Sequence, residues 1–308
     1  MIVNSSIIEN NRTPKASEMM VALQQLESQI DTNKTVEGQF RRSVLIKSGG
    51  ATINNMGLDC EFEVNFDDNT QANSAEIKIY NLSNATINRF VNKASITIQA
   101  GYGNDTGIIF DGYITSKKTL WQGVDKITTI RALDDSKRYN RNVESISYRA
   151  GTKASYILND LCKRVGLPIA VFKTIRDYTY KDEVTVDGGL SENIVNYADI
   201  CGVSAYVCKS KIYVRPLNEG DNTRFTLSDS TGLLSVSEFE ETKTSKEFGE
   251  ETVKGFDVEM LLQYRLQTAS IIKLNSRNYQ GEFRVKEGQH IYNGDEFKTT
   301  AKLLPSKK

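Results

Sequence analysis

The stretch from Ala75 to Leu133 constrains the fold more than any other part of the chain, because its residue types match a succession of strands and one short helix. At its start, Ile77 and Ile79 fall on one face of a strand, whereas the charged Glu76 and Lys78 fall on the other. This period of two is typical of a strand with one buried face.

A short helix is predicted directly after this strand. Asn84 is a suitable N-cap, and Ile87, Phe90 and Val91 would share one side of the helix, since residues three and four apart lie on the same face. The alternation then resumes, and one strand is predicted to bury Ile108, Phe110, Gly112 and Ile114. The segment from Gln122 to Asp125 predicts a hairpin between the last two strands. Together these elements predict a small antiparallel barrel with one short helix.

Three segments carry a family resemblance: NSAEIKIYNLSNATINRF, AGYGNDTGIIFDGYI and WQGVDKITTIRALDDS. They resemble the baseplate hub proteins of contractile-tailed phages and phage-derived bacteriocins. This is the late-control-D group, related in fold to the central hub of T-even phages. The resemblance covers most of Arg41 to Leu304 and is strongest from Ala75 to Pro216. It implies a structural homotrimer whose partners are the tail tube protein, the spike or cell-puncturing protein, and the baseplate wedge and tape-measure proteins.

Four parts are expected along the chain. They are an N-terminal extension with an amphipathic helix (1–40), a first tube-like β-barrel (41–135), an α/β insert (136–216) and a second tube-like β-barrel (217–308). The fold class is therefore mainly β with an α+β insert: two tail-tube-like antiparallel β-barrels, a small α/β domain and an N-terminal helix. At 308 residues the chain is long enough for two or three domains.

The N-terminal helix is predicted from about Pro14 to Ile30. Its apolar residues have the a/d spacing of a coiled coil and would form one seam: Ala16, Met19, Leu23, Leu26 and Ile30. Two interpretations stay open. The helix either lies on its own barrel or serves as a docking or trimeric coiled-coil helix.

The insert is predicted to contain two helices and a hairpin. Thr152 would cap the first helix, which ends at Gly166, and Ser191 would cap the second, which ends at Gly202. The expected buried residues are Ala154, Ile157, Leu158, Leu161, Cys162 and Val165, then Ile194, Tyr197, Ala198 and Cys201. The SISYRAG segment before the first helix weakly resembles peptidoglycan-binding LysM modules, and a structural insert is the interpretation we favour.

The second barrel is predicted from a repeated order of elements. A helix from Phe256 to Gln267 would lead into the strand from Thr268 to Lys273, as the first short helix leads into the strand from Lys93 to Ile98. A repeated order of elements is expected of a second copy of the barrel. The acidic segment from Glu238 to Glu251 is predicted to be a solvated loop.

The residues that could carry chemistry are sparse. The only histidine, His290, is expected in a loop from Gly288 to Gly294 with a surface or hydrogen-bonding role. The paired acids Asp67-Asp68 and Asp134-Asp135 are typical of turns, and a calcium site in the loop from Asp67 to Thr70 is less expected than a solvated turn. Gly101-Tyr102-Gly103 is interpreted as a hairpin turn rather than a phosphate loop. We therefore predict no catalytic, cofactor-binding or metal-binding residues and no cofactor.

Composition excludes further classes. The chain has 39 basic and 39 acidic residues, whereas a nucleic-acid-binding protein is usually basic, so specific nucleic-acid binding is not expected. Its apolar runs are far shorter than the roughly 20 residues that cross a membrane. Residues 1–10 lack the pattern of a signal peptide, and four cysteines without a Cys-x-x-Cys pair are expected to be reduced and buried.

The leading hypothesis is a non-enzymatic baseplate hub that forms a trimeric, pseudo-sixfold ring between a sixfold tail tube and a threefold spike. It would assemble in the host cytoplasm and reside in the baseplate of a virion or tail-like particle. The alternatives are a tail-associated cell-wall hydrolase, with an unrecognised pair of carboxylates, and a peptidoglycan- or receptor-binding tail protein centred on the insert.

Overall fold

The strands of the first half surround one apolar core. The computed structural model describes residues 41–67, 73–134, 142–208, 211–216, 219–245 and 249–306, so the predicted N-terminal helix lies outside the described residues. The elements of the first half are β1 (Arg42–Ser48), β2 (Ala51–Asn54), β3 (Cys60–Phe66), β4 (Ser74–Tyr80), α1 (Asn84–Ile87), β5 (Ser95–Tyr102), β6 (Asp105–Gln122) and β7 (Asp125–Leu133).

The insert and the second half follow in the chain. The insert contains β8 (Asn142–Tyr148), α2 (Ala154–Val165), β9 (Ile169–Phe172), β10 (Val184–Gly189), α3 (Leu190–Ile200), β11 (Ser204–Cys208) and β12 (Lys211–Arg215). The second half contains β13 (Asp221–Ser228), a 3-10 turn (Asp229–Thr231), β14 (Leu233–Ser245), β15 (Gly249–Leu261), β16 (Ser270–Asn275), β17 (Gln280–Tyr292) and β18 (Phe297–Pro305).

Thirteen strands form one hydrogen-bonded sheet. Its order is β14-β15-β18-β17-β3-β4-β7-β6-β5-β1-β2, and β16 pairs with both β17 and β13. The predicted fold class, mainly β with an α+β insert, is confirmed. The two halves are not separate sheets, however, because β17 pairs with β3. The pair β13–β16 is parallel, and the intervening β14–β15 hairpin supplies the long connection that a parallel pair requires.

Period-two alternation explains the strands that the sequence predicted best. In β3, Cys60, Phe62, Val64 and Phe66 are buried, and Ile77 and Ile79 of β4 pack in the same half. Each fully buried side chain of this size contributes about 1.5–3 kcal/mol relative to an exposed one.

Three local predictions in the first half are wrong. The N-cap of α1 is Ser83, not Asn84, because the Thr86 amide donates to Ser83 Oγ at 3.1 Å. Val91 is exposed, since α1 ends at Ile87 and helical spacing does not extend that far. Ile108 is also exposed, because the β5–β6 pairing shifts between Ile98 and Gln99 and this β-bulge reverses the alternation.

Both apolar stripes in the insert helices are confirmed, but their caps are not. The residue before α2 is Lys153, and Thr152 instead donates from Oγ1 to the Arg149 carbonyl at 2.6 Å. Helix α3 begins at Leu190, one residue before the predicted cap Ser191. Gly166 ends α2 in the left-handed region, with φ of 78°, as predicted.

Two segments of the second half differ from prediction. The segment from Phe256 to Gln267 is not a helix: β15 continues to Leu261 and turns follow. Its apolar residues Phe256, Val258 and Met260 also fit a period of two, and pairing with β14 and β18 selects the strand. The segment from Glu238 to Glu251 is not a loop but the two arms of the β14–β15 hairpin.

His290 lies in β17 rather than in a loop and is 1% exposed. Its Nδ1 is 2.8 Å from Thr299 Oγ1, so the predicted hydrogen-bonding role is confirmed. Gly288 is within the same strand, where a Cβ atom would lie 2.5 Å from Phe66 Cζ. This glycine therefore serves a close approach rather than the turn that the sequence suggested.

The four cysteines are buried, as expected. Burial raises the pKa of the Cys60 and Cys162 thiols to about 12 and that of Cys201 to about 11. We expect native protein at pH 8 to show no fast-reacting thiol toward an aromatic disulfide reagent, because the thiolate is the nucleophile. All four should react in guanidinium chloride. A rapidly titrating thiol in the native protein would contradict this burial.

Candidate functional site

The two halves contain the same strand path. The first repeat runs β3-β4-β7-β6-β5 and the second repeat runs β14-β15-β18-β17-β16. In each, the fourth strand shifts register against the third at one bulge, between Ile114 and Ser116 in β6 and between Val285 and Glu287 in β17. The repeated order of elements predicted from the sequence is confirmed, although its predicted second helix is not.

Residues at equal distances from the two bulges have similar surroundings. Thr119 Oγ1 is 3.1 Å from Thr128 Oγ1, and at the corresponding place His290 Nδ1 is 2.8 Å from Thr299 Oγ1. Thr128 and Thr299 are both fully buried. The only histidine therefore occupies a structural position that a threonine fills in the first repeat.

The repeats are joined edge to edge by β17 and β3. Gly288 lies opposite Phe66 and Tyr292 opposite Phe62 in this antiparallel pair. The Phe62 ring lies 5.7 Å from the Tyr292 ring and 6.5 Å from the Phe297 ring, centroid to centroid. Such aromatic pairs add about 0.5–1.5 kcal/mol each beyond area burial. The junction is therefore part of the core of the protein.

Polar contacts reinforce the same junction. Gln289 Nε2 donates to Glu63 Oε1 at 2.6 Å and to Asn65 Oδ1 at 2.9 Å. Away from the strand pair, Asp105 of β6 receives two hydrogen bonds from the Arg265 guanidinium, at 2.9 and 3.1 Å. A bidentate pair of this kind fixes geometry as well as distance. This ion pair is a second contact between the two repeats.

One continuous polar surface runs across both repeats, which we call the shared face. It consists of the outward side chains of β15, β18, β17, β3, β4 and β7. Its cations pair with carboxylates: Lys298–Glu259 at 3.0 Å, Lys302–Glu287 at 2.8 Å, Lys78–Glu61 at 3.6 Å and Arg131–Glu76 at 2.8 Å. Exposed pairs contribute only about 0–1 kcal/mol each. Their main effect is to keep this face free of concentrated positive charge.

The shared face is concave in two places. A groove of about 630 Å³ crosses β14, β15, β18, β17 and β3, and a smaller one of about 180 Å³ lies over β3, β4 and β17. On the rim of the smaller groove, the hydrogen bond from Tyr80 to Glu61 raises the pKa of Tyr80 to about 12. Tyr80 is therefore a neutral hydrogen-bond donor at physiological pH.

Each end of this set of strands has an edge without a strand partner among the described residues. Beyond Tyr113, β6 pairs only with β7, so we call residues 116–122 the β6 edge. On the other side, β14 pairs only with β15, and we call residues 233–240 the β14 edge. Trp121 is 70% exposed, and Leu120 and Leu234 are also exposed. Exposed apolar strand edges are templates for pairing with another chain.

The insert is fastened to both repeats by buried polar groups. Arg215 Nε donates to Tyr206 OH at 2.8 Å, and the Arg215 guanidinium also binds Asp221 at 3.0 Å. Burial raises the pKa of Tyr206, so its hydroxyl stays neutral. On the first repeat, Asn73 Nδ2 donates to Asp134 Oδ2 at 2.7 Å and lies 3.4 Å from the Val207 carbonyl oxygen.

The residues weighed for chemistry do not converge. Asp134 is buried beside Asn73. Gly101 and Tyr102 are the last residues of β5, and the predicted hairpin turn lies at Gly103 and Asn104. Asp68 and Asp135 lie outside the described residues. Within the described ranges, no three acidic, histidine or cysteine residues are grouped as metal ligands, and no helix is long and apolar enough to cross a membrane.

Sequence reasoning missed the shared face and the two free edges. The local signal was present, because charged residues alternate with apolar ones in β3 and β4. The sequence could not show that β17 pairs with β3. This pairing places the polar faces of two strands side by side although they are more than 200 residues apart in the chain.

A family model described as "Baseplate hub gp41" matches residues 39–278. No curated protein sequence matches this chain significantly. Solved structures with a similar fold include a tail protein from Neisseria meningitidis MC58, at 9% identity and a TM-score of 0.61, which covers 86% of this chain and 97% of that chain. The 43 kDa tail protein of prophage MuSo2 from Shewanella oneidensis has 8% identity and a TM-score of 0.60, with 85% and 97% covered.

A third similar structure is the Escherichia coli c3393 protein, with 12% identity and a TM-score of 0.56, covering 85% of this chain and 77% of that chain. It is described as a component of the type VI secretion system with structural similarity to the T4 bacteriophage tail proteins gp27 and gp5. At these identities the likeness shows the fold alone.

Proposed function

Because this chain belongs to the baseplate hub gp41 family, we propose that it is the structural hub of a contractile phage tail or tail-like bacteriocin and that three chains form a pseudo-sixfold ring. The chain is a baseplate hub protein of the phage-tail type, within the group of contractile injection systems. Such a protein is a component of a tail particle. The trimer, the ring and the partners named below are the proposed part, as is assembly in the host cytoplasm.

The observation that carries the ring is the repeat within the chain. Two repeats with the same strand path are already joined edge to edge by β17 and β3. Three such chains supply six repeats, so a threefold assembly has six similar positions around one axis. A ring of this kind can dock a sixfold tail tube at one end and a threefold spike at the other.

The shared face is suited to line the channel of this ring. Four of its cations are paired with carboxylates. Nucleic-acid affinity depends on cations that neutralise phosphates, so a face with its cations already paired binds passing DNA weakly. The same surface could receive a tape-measure protein during assembly.

The two ends of the ring would differ in symmetry. Strand β7 begins directly after the β6–β7 turn and ends at Leu133, and the insert follows it in the chain. The turn and the insert are therefore at opposite ends of β7. The corresponding β17–β18 turn supplies a second hairpin per chain. We assign the end with six hairpin turns to the tube, and the end with three inserts to the spike and wedge proteins.

No catalytic role is proposed, in keeping with a family of structural hub proteins. The division into residues 1–40, 41–135, 136–216 and 217–308 is kept as a proposal. Its last three parts agree approximately with three apolar clusters, one in each repeat and one in the insert.

Light scattering tests the trimer directly. We expect a particle of three times the 34.5 kDa chain mass, alone or with its tube and spike proteins, and electron-microscopic top views with six similar densities around a channel. A strictly monomeric species at every concentration, with and without those proteins, would sink the proposal.

A further inference from the structure

Resting on the proposed trimeric hub, we propose that the outer part of the β14–β15 hairpin is a docking site to which the spike protein adds an extended, basic segment as a third strand. We call residues 240–245 and 249–254 the hairpin arm. Its two strands pair with each other along this length, whereas β15 pairs with β18 only from Phe256 to Leu261. Among the described residues, the outer edge of β15 in the arm therefore has no strand partner.

The base of the arm is packed against the sheet. Gly255 directly precedes the first β15 residue that pairs with β18. A Cβ atom on Gly255 would lie 2.4 Å from the Leu303 carbonyl oxygen and 2.6 Å from Phe239 Cζ, so glycine allows the Phe239 ring to lie close to the backbone here. Lys302 Nζ lies 5.7 Å from the centre of the same ring. The arm therefore begins at a packed base, directly beyond which pairing with β18 ends.

The arm has the composition of a strand pair that binds through its backbone. Three of its residues are threonines, which favour extended structure, and its one apolar residue apart from glycine is Val253. A two-stranded hairpin is at most marginally stable by itself, and the arm has too few apolar residues to bury a face against a core. A third strand would add main-chain hydrogen bonds along the free edge, which is the mode of recognition called β-augmentation.

The arm is at the insert end of the strands. Because β15 and β18 are antiparallel, the part of β15 before Phe256 extends past the end at which β18 finishes, at Pro305. In the strand path β18 corresponds to β7, which the insert follows. The β3–β4 connection corresponds to the arm in the first repeat, and it contacts the insert, since Asn73 Nδ2 lies 3.4 Å from the Val207 carbonyl oxygen. The proposed ring would therefore carry three inserts and three arms in alternation.

The position of the arm favours the spike over the wedge proteins as its partner. The arm continues β15, a strand of the shared face, beyond the end of β18. Since the shared face is proposed to line the channel, the three arms would extend the channel wall at the insert end. A threefold spike on the axis would meet all three arms, whereas wedge proteins would lie outside the ring.

Charge defines the segment that the arm would bind. The arm carries four glutamates and only two lysines: Glu240, Glu241, Glu250, Glu251, Lys243 and Lys254. One of the lysines is already paired within the arm, since Lys254 forms an ion pair with Glu240. Opposite charges on neighbouring strands are favourable and like charges are unfavourable. The docking segment is therefore expected to be extended, with lysine or arginine at alternate positions.

Hydrogen exchange measured by mass spectrometry tests the docking directly. Addition of the purified spike protein of the same particle to the trimer should slow exchange of the outward backbone amides of residues 249–254 at least about tenfold, because main-chain pairing protects amides. The amides from Phe256 to Leu261 already lie in a strand that pairs on both sides, and their exchange should not change.

Two variants test the same contact by affinity. In the first, an Asn-Gly turn replaces residues 241–253 and joins Glu240 to Lys254, which are opposite each other in the hairpin. This shortened variant should form the trimer and melt like the unmodified protein, but it should bind the spike at least about tenfold more weakly, because the hydrogen bonds to the arm are lost. The second variant, Glu250→Lys with Glu251→Lys, keeps the arm and should bind more weakly at low salt than at high salt relative to the unmodified protein.

The outcomes separate this inference from the proposed function. Protection of residues 249–254 by the spike, together with weaker binding of the shortened variant, supports both. A trimer that binds the spike without this protection, or a shortened variant that binds it as tightly as the unmodified protein, overturns the docking arm and leaves the hub proposal standing. Protection by a wedge protein and not by the spike overturns the docking arm as well. A protein that stays monomeric under all conditions overturns the hub proposal and this contact with it.

Discussion

Replacing Trp121 of the β6 edge with aspartate is expected to raise the dissociation constant of the proposed trimer at least about 30-fold, since exposed apolar strand edges are templates for pairing with another chain and a tryptophan buried at an interface contributes about 2 kcal/mol or more. In the single chain Trp121 is 70% exposed, and the Lys126 Nζ lies 5.9 Å from the centre of its ring. The folded chain should therefore lose little stability, within about 0.5 kcal/mol.

Two measurements separate these effects. Sedimentation velocity over a range of concentrations reports assembly, and a thermal melt reports folding. The matched control is Tyr178→Asp, an aromatic residue on the insert that is 52% exposed and lies outside both the β6 edge and the β14 edge. The control should assemble like the unmodified protein. A Trp121→Asp variant that remains trimeric at nanomolar concentration would show that the β6 edge takes no part in the trimer.

Most of the local structure of this fold follows from local residue patterns. In β4, Ile77 and Ile79 alternate with charged residues, and the strand forms as predicted. The apolar stripe of α2 predicts its buried face in full, from Ala154 to Val165. These signals succeed because a strand or an amphipathic helix displays its own period, independent of its partners.

The predictions that failed depend on distant partners. The segment from Phe256 to Met260 fits both periods, and only pairing with β14 and β18 decides that it is a strand. His290 looked like a loop residue because it lies between Gly288 and Gly294. Gly288 instead allows the close approach of Phe66, which a reader of the sequence could not place next to it.

The β6 edge and the β14 edge depend on such distant pairing as well. The β6–β7 hairpin is visible in the sequence, but the absence of a β5 partner beyond Tyr113 is a property of the described sheet. The correspondence between the two repeats needs them to be compared strand by strand. Sequence identity between the repeats is too low to supply that alignment, whereas the two bulges fix it.

Replacing Phe62 with alanine is the change expected to cost the most folding stability. Phe62 is 3% exposed and packs on Tyr292 and Phe297 across the junction of the two repeats. Loss of the ring leaves a cavity, and the free energy of unfolding should fall by about 3–5 kcal/mol. The measurement is guanidinium denaturation in a Trp121→Asp background, because assembly would otherwise stabilise the native chain.

The shape of that transition carries further information about the junction. If the two repeats share one core through β17 and β3, the Phe62→Ala variant should unfold in a single transition with an unchanged denaturant dependence. Met56→Ala is the control, because Met56 is 74% exposed and its loss should cost less than about 0.5 kcal/mol. Two results would show that the repeats fold independently. One is a decrease of less than 1 kcal/mol in the free energy of unfolding of the Phe62→Ala variant, and the other is two separate unfolding transitions in the protein that keeps Phe62. The β17–β3 junction would then not hold the two repeats of one chain in the fixed arrangement that the proposed ring requires.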